Sequence, residues 1–159
     1  VSELGPPDFH SNQMFDKPVT VHLLLPNPMY VYDTRARKAL GQHKELTLTV
    51  DPHEPMILVA SDTPLPEMQV SVPEHAQRGS VVNIAVHAGP AQADVSIFHV
   101  DVRDPQGNRV LYYSGNLIAK QGSAVKSISL ASNDLAGKWT ITVQNMLSGQ
   151  IVTHNLDVE

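Results

Sequence analysis

The side chains in this chain that are best suited to metal or acid–base chemistry are its histidines. Its 159 residues include eight of them. No two have the short spacings, HxH or HxxxH, that place metal ligands together on one element. His87 and His99 could still meet across neighbouring strands. Strand alternation instead turns His22 and His99 outward, so we predict exposed polar surface and no metal site. The histidines lie at positions 10, 22, 43, 53, 75, 87, 99 and 154.

The carboxylates and serines form no recognisable catalytic set. Asp101 and Asp104 flank Arg103, and Asp134 stands in a predicted loop. Glycoside hydrolysis needs two carboxylates about 5–10 Å apart across a cleft, whereas aspartate is common in turns for conformational reasons. There is no GxSxG elbow and no glycine-rich phosphate loop. We therefore predict no catalytic residue, no cofactor and no enzymatic activity for this chain alone.

Four tyrosines are the candidate ligand or partner contacts: Tyr30, Tyr32, Tyr112 and Tyr113. Adjacent residues of a strand point to opposite faces, so one of Tyr112 and Tyr113 is expected in the core and the other in solvent. With an outward Tyr30 or Tyr32, the exposed ring could stack on a sugar. Aromatic residues make up only 5% of the chain, which is low for a carbohydrate-binding module.

Composition excludes several classes of partner. The net charge is −5, and the densest basic group is Arg35, Arg37 and Lys38. A nucleic-acid or anionic-membrane surface would need a larger basic patch. No apolar stretch approaches the ~20 residues of a membrane-spanning helix. Without cysteine, disulfides and thiolate metal sites are excluded.

The first half of the chain predicts a small β-domain at 19–61, after an irregular lead-in at 1–18. Apolar alternation from Val19 to Leu25 favours a strand, which we expect Pro26 and Pro28 to stop. The basic residues Arg35, Arg37 and Lys38 are expected at an exposed hairpin end. The last strand is apolar throughout and is expected to be central. The predicted strands are 19–25, 29–32, 45–50 and 56–60. Two prolines within 62–66 indicate a linker.

The second half, 67–159, predicts a seven-stranded sandwich. Short strands separated by turn signals are typical of that fold, and Asp104–Gly107 has the composition of a tight turn. Trp139, Ile141 and Val143 share one face, so we expect Trp139 in the core. The predicted strands are 68–72, 81–87, 95–103, 110–114, 124–130, 138–145 and 150–158. The predicted fold is all-β, with two antiparallel sandwich modules in tandem, the second immunoglobulin- and fibronectin-III-like.

Turn and core residues of the second half carry a family resemblance. They are Asp104-Pro105-Gln106-Gly107-Asn108-Arg109-Val110, then Gly122, Ile128-Ser129-Leu130, Gly137–Val143, Ser148-Gly149 and a terminal Val158-Glu159. This pattern resembles the macroglobulin-type domains of the alpha-macroglobulin and complement family. The resemblance implies a seven-stranded, fibronectin-III-like sandwich over about 67–159. It includes neither the thioester motif nor the bait region of that family, so protease trapping is not implied.

The first half has a different resemblance. Tyr30–Arg35, Leu40-Gly41, Leu46–Leu48, Asp51–Pro55 and Ile57–Ala60 look like the β-sandwich tail of large bacterial glycoside hydrolases of the beta-galactosidase type. This implies the C-terminal end of such an enzyme, secreted or periplasmic, whose catalytic carboxylates lie upstream.

Together these patterns and resemblances predict a non-catalytic structural or interdomain module at the C-terminal end of a larger secreted bacterial protein, which the resemblance implies is a glycoside hydrolase. Its expected partners are the upstream domains of the same polypeptide. Two alternatives stay open: a carbohydrate-binding module, and a protein-interaction or adhesion module.

Overall fold

A computed structural model describes residues 17–89 and 95–159, and these residues form eleven β-strands and no helix. The predicted all-β fold class is confirmed. Most of the predicted lead-in, residues 1–16, lies outside the described residues. The strands are β1 (Val19–Asp33), β2 (Lys38–Val50), β3 (Leu58–Ser61), β4 (Gln69–Ser71), β5 (His75–Ala76), β6 (Val81–His87), β7 (Val95–Arg103), β8 (Gly115–Lys120), β9 (Ser123–Ser129), β10 (Gly137–Asn145) and β11 (Ile151–Val158).

The first sheet has three strands in the order β2-β1-β3. The prediction that Pro26 and Pro28 stop the first strand is wrong, because β1 continues through both prolines. They act on the pairing instead: Leu24 pairs with Glu45 and Met29 with His43, so four residues of β1 bulge opposite one of β2. Proline has no N–H to give to the ladder, so the regular pairing is interrupted here by a bulge.

Two further features of this sheet differ from the sequence prediction. β2 starts at Lys38, seven residues before the predicted strand 45–50. The segment predicted as the central strand, 56–60, supplies the edge strand β3, which within the described part of the chain pairs only with residues 30–33 of β1. Ile57 in this segment is 58% exposed, so its apolar run does not reflect burial on both faces.

The second sheet has eight strands in the order β4-β6-β9-β8-β7-β10-β11-β5. Seven of them have three or more residues, and β5 adds a two-residue parallel pairing with β11. Lys120 and Ser123 form the single residue pair between β8 and β9, beside a turn in which Gln121 and Gly122 have φ of 51° and 75°. The sheet curls at this turn, and both halves face one apolar core, as in a β-sandwich.

The core is built on β10, which lies between β7 and β11. Trp139, Ile141 and Val143 alternate on its inner face, and each is at most 1% exposed. The prediction that Trp139 is a core residue is confirmed. The largest fully buried side chains in the same core are Val82, Ile84, Val86, Phe98, Val100, Val102 and Leu156.

The predicted strand 110–114 is wrong. The N–H groups of Tyr113 and Ser114 both donate to the carbonyl of Val110, at 3.2 and 3.0 Å, so this segment is a turn. The strand comes directly afterwards, as β8. The β-formers Val110 to Tyr113 favour a strand locally, but two of them, Leu111 and Tyr112, are 72% and 85% exposed. Tertiary context therefore overrides β-propensity here.

Replacing a side chain of β10 tests where the core lies. Ile141→Ala removes a completely buried side chain and should reduce the free energy of unfolding by about 2–5 kcal/mol. Ile118→Ala makes the same chemical change at a side chain that is 61% exposed, and should cost below about 1 kcal/mol. Urea unfolding of both variants measures the difference, and equal losses would contradict this core.

Candidate functional site: the junction of the two sheets

The four candidate tyrosines differ in exposure. Tyr113 is 7% and Tyr112 85% exposed, so the prediction of one core and one solvent ring is confirmed. The expectation of an outward Tyr32 is wrong: it is buried, and its hydroxyl accepts a hydrogen bond from the Leu65 N–H at 2.9 Å. Tyr30 is half-buried. Within 17–89 and 95–159, Tyr112 is the one widely exposed aromatic side chain, so these tyrosines form no row of stacking rings.

Tyr113 and Trp139 anchor the loop that leads into β10. Their ring centroids lie 6.0 Å apart. The Tyr113 hydroxyl donates to Asp134 Oδ2 at 2.7 Å, and the Ala131 N–H lies within hydrogen-bond distance of both oxygens. Trp139 Nε1 donates to the Leu135 carbonyl at 2.8 Å. Both polar atoms of these core rings are therefore used to fix the loop.

The environment of Tyr113 also shifts its titration. Burial of the ring, together with the hydrogen bond to the Asp134 carboxylate, raises the pKa of the Tyr113 hydroxyl above its ordinary value of 10.0. The neutral phenol is thereby favoured in the folded state.

His87 and His99 do not meet. β9 and β8 separate β6 from β7 in the sheet. The suggestion that the two histidines form a metal site across neighbouring strands is therefore wrong. His87 Nδ1 lies 2.8 Å from the hydroxyl of its cross-strand neighbour Ser123. His22 is exposed, as predicted, and lies 3.1 Å from Thr47 Oγ1. The described residues contain no group of three side chains that could hold a metal ion.

His99 belongs to a polar network on the outer face of β7. Arg109 Nη2 lies 2.7 Å from His99 Nε2, and the same guanidinium contacts Asp101 at 2.7 Å. Because a guanidinium only donates, Nε2 accepts, and Nδ1 carries the proton that is donated to Asn116 Oδ1 at 2.8 Å. Arg103 contacts the other oxygen of Asp101 at 3.0 Å. The sequence analysis named Asp101 and Arg103 but did not predict the contact between Arg109 and His99. The turn at 104–107 reverses the chain and so brings Arg109 next to His99.

That turn is as predicted. The Gly107 N–H donates to the Asp104 carbonyl at 2.9 Å, and Gly107 has φ of 84°. Desolvation opposes ionisation of Asp104, but hydrogen bonds from the side chain and N–H of Asn108 and from the N–H of Gln106 lower the pKa of the carboxyl overall. Pro105 packs against Gly137, where a Cβ would lie 3.3 Å from the ring. The turn therefore contacts the first residue of β10.

The two sheets meet where the β1–β2 hairpin contacts the β10–β11 hairpin, and we call this contact the junction. Arg37 Nη1 donates to Gln144 Oε1 at 3.0 Å. Gly149, with φ of 76°, lies so close to the Arg37 carbonyl that a Cβ would overlap it. Only glycine fits such an approach without displacing the neighbouring backbone.

The connection between the sheets is also fixed. The Met68 N–H, just after the predicted linker 62–66, donates to Gln150 Oε1 at 2.8 Å. Within that linker the Leu65 N–H donates to the buried Tyr32 hydroxyl. Two backbone groups of the connecting segment are therefore held by side chains, one on each hairpin, so it is not a freely solvated linker.

The hairpin tip at the junction has its own supports. Asp33 Oδ1 accepts from the N–H groups of Arg35 and Ala36, at 3.0 and 2.9 Å. The N–H and hydroxyl of Thr34 both donate to the Ile57 carbonyl at 3.0 Å. Arg35 and Arg37 are exposed at this tip, as predicted. The turn residues therefore present a fixed backbone, and the Arg37 carbonyl in particular, to Gly149.

Two grooves on the surface of the described residues are wide enough to hold a small ligand. One, of about 560 Å³, lies over β4, β6 and β9 and includes His87 and Ser123. The other, of about 310 Å³, includes Asp33, Asp51 and Glu54. Asp33 and Asp51 accept backbone hydrogen bonds within their own turns, which is a conformational role. The first groove brings His87 and Ser123 together but has no carboxylate among its lining residues, so neither groove shows an acid, a base and a nucleophile in a catalytic arrangement.

No family model matches this chain, and no curated protein matches it. The described residues include no helix of the length and hydropathy required to cross a membrane.

Tyr113→Phe tests the loop anchor and its pH dependence. The variant loses the hydroxyl contacts to Asp134 and Ala131 and should be about 1–2 kcal/mol less stable at pH 7. In the parent chain the stability that this hydroxyl confers is present below pH 10 and falls as the pH rises above it, because the unfolded tyrosine ionises first. Urea unfolding from pH 7 to 11 should show a smaller alkaline loss for the variant.

The matched control is Tyr112→Phe, at the adjacent exposed ring. It should change stability by less than about 0.5 kcal/mol and keep the alkaline loss of the parent. Indistinguishable behaviour of the two variants would contradict the anchoring role of Tyr113.

Proposed function

We propose that this chain is a non-catalytic structural module that holds neighbouring domains of a larger polypeptide in a fixed arrangement. The observation that carries the proposal is the junction. Arg37, Gln144 and Gly149 bring two separately hydrogen-bonded sheets into direct contact, and the segment between them is held on both sides. A structural spacer needs a fixed internal geometry of this kind, because a freely solvated linker would leave the orientation of the flanking domains unconstrained.

The strand order of the second sheet supports the interpretation of residues 67–159 as a fibronectin-III-like sandwich. The turn after β8 separates β4-β6-β9 from β8-β7-β10-β11. This gives a three-stranded layer and a layer of four longer strands around one core, with the two-residue β5 at the edge of the second layer. Seven strands divided in this way are typical of immunoglobulin-like sandwiches. Such domains commonly serve as repeated or accessory units, although fold alone does not assign a role.

The resemblance of the first half to the tails of beta-galactosidase-type enzymes suggests the context of the module. On this proposal the chain belongs to the C-terminal region of a secreted or periplasmic bacterial protein, and its partners are upstream domains of the same polypeptide. The carbohydrate-binding alternative is less well supported, because Tyr112 has no exposed aromatic neighbour among the described residues.

Alanine at two glycines separates the junction from backbone strain. Gly149 and Gly107 have similar φ of 76° and 84°, so alanine should cost each about 1–2 kcal/mol in conformational strain. A Cβ at Gly107 meets nothing within 4 Å, whereas one at Gly149 overlaps the Arg37 carbonyl. Gly149→Ala should therefore also force the hairpins apart.

Small-angle scattering and residual dipolar couplings measure the relative orientation of the two sheets. We expect Gly149→Ala to change the orientation and Gly107→Ala to leave it as in the parent. An unchanged orientation in both variants would show that the junction does not set the arrangement.

The absence of catalysis is tested directly on the purified chain. We expect cooperative unfolding and no turnover of chromogenic galactosides or glucosides above the buffer rate, with a known galactosidase as the positive control. Reproducible turnover by this chain that is lost on denaturation would overturn the proposed function.

A further inference from the structure

The outer part of the first sheet is a two-stranded ribbon, formed by residues 19–24 of β1 and 45–50 of β2. Directly opposed residues of an antiparallel pair share a face. Because side chains alternate, every second pair of the ribbon lies on one face, and each of those pairs is aliphatic. The pairs are Val19 with Val50, Val21 with Leu48, and Leu23 with Leu46. We call these six residues the aliphatic face.

The other face is largely polar. Its pairs join Thr20 to Thr49, His22 to Thr47, and Leu24 to Glu45. Leu24 is its one aliphatic member and is 72% exposed. The ribbon is therefore amphipathic, with the polarity expected of a surface that is solvated on one side and covered on the other.

Nothing in the described residues fully covers the aliphatic face. Val19 and Val21 are 55% and 42% exposed, and the other four residues are only half-buried. β3 pairs with residues 30–33 and so leaves the ribbon two-stranded. A two-stranded ribbon in water is marginally stable without a third strand or a packed face, and six adjacent aliphatic residues normally mark a contact surface.

The segment that precedes the ribbon contains large apolar side chains that could pack on the aliphatic face. Residues 1–16 contain Leu4, Phe9, Met14 and Phe15, and thus two of the three phenylalanines of the whole chain. The third, Phe98, is completely buried in the core. The segment also enters at the right place, because only Lys17 and Pro18 separate it from Val19.

The distances permit a return along the ribbon. The ribbon is six residues long on each strand, or about 20 Å at 3.4 Å per strand residue. Sixteen residues can span up to about 50 Å, so the segment is long enough to reach every aliphatic pair if the chain reverses direction at Lys17-Pro18.

Independently of the function proposed above, we propose that residues 1–16 dock on the aliphatic face of their own ribbon. Phe15 and Met14 lie four and five residues before Val19 in sequence and would supply the apolar side chains nearest to the face, with Phe9 extending the contact towards Leu23 and Leu46. The occupant is thus a segment of this chain, in preference to a second copy or a separate partner.

Engineered cysteine pairs test this docking against a background with no native cysteine. Leu48 and Thr47 are neighbours on opposite faces of β2, which makes them a matched pair. Phe15→Cys or Met14→Cys is combined with Leu48→Cys for the aliphatic face, or with Thr47→Cys for the polar face. Each full-length variant is oxidised at micromolar concentration. Mass spectrometry and non-reducing gels identify the intramolecular disulfide.

We expect cross-linking to Leu48→Cys at least tenfold faster than to Thr47→Cys, with the product monomeric. Equal rates for the two faces would overturn the proposal, as would a predominantly dimeric product, which would indicate a second copy on the face. The near-ultraviolet circular dichroism of the buried Trp139 verifies that each variant is folded.

A deletion provides a second measurement that needs no cysteine. Removal of residues 1–16 should raise amide hydrogen exchange at Val21 and Leu48 at least tenfold, and leave exchange at Phe98 and Ile141 unchanged. Unchanged exchange in the ribbon would contradict docking by this segment, and increased exchange throughout the chain would show a general loss of stability instead.

Discussion

Burial of the inner face of β10 is the constraint on which the second sheet depends. Trp139, Ile141 and Val143 can be removed from water only if β7 and β11 flank them and the opposite half of the sheet curls over them. The tight turn at Gln121-Gly122 makes that curl possible. Trp139 then serves twice, because its ring fills the core while its N–H fixes the loop before its own strand.

The contact between the sheets rests on a different kind of constraint. The junction contains one side-chain hydrogen bond between exposed groups, Arg37 to Gln144, and such a bond contributes little by itself. What distinguishes it is the close approach of two backbones at Gly149. Exclusion of a Cβ makes this contact selective, since a larger residue at that position would prevent docking whatever its polarity.

Sequence reasoning succeeded where alternation and turn chemistry act locally, and failed where distant parts of the chain decide. β6 and β7 have the predicted bounds, and Trp139 and the Asp104–Gly107 turn behave as expected. The segment 110–114 has strand-forming residues but is a turn, and 56–60 is apolar but supplies an edge. The junction was not predictable, because nothing near Gly149 in sequence indicates that Arg37 approaches it.

The prolines of β1 have a consequence for self-association. Among the described residues no strand pairs with the outer edge of β1 between 19 and 29, and an open edge beside apolar side chains is a template for fibril growth. Pro26 and Pro28 interrupt that template, since neither has an N–H to offer an incoming strand, and the bulge around them disturbs the regular spacing of the remaining groups. The residues that weaken the ladder within the molecule thus also limit its polymerisation.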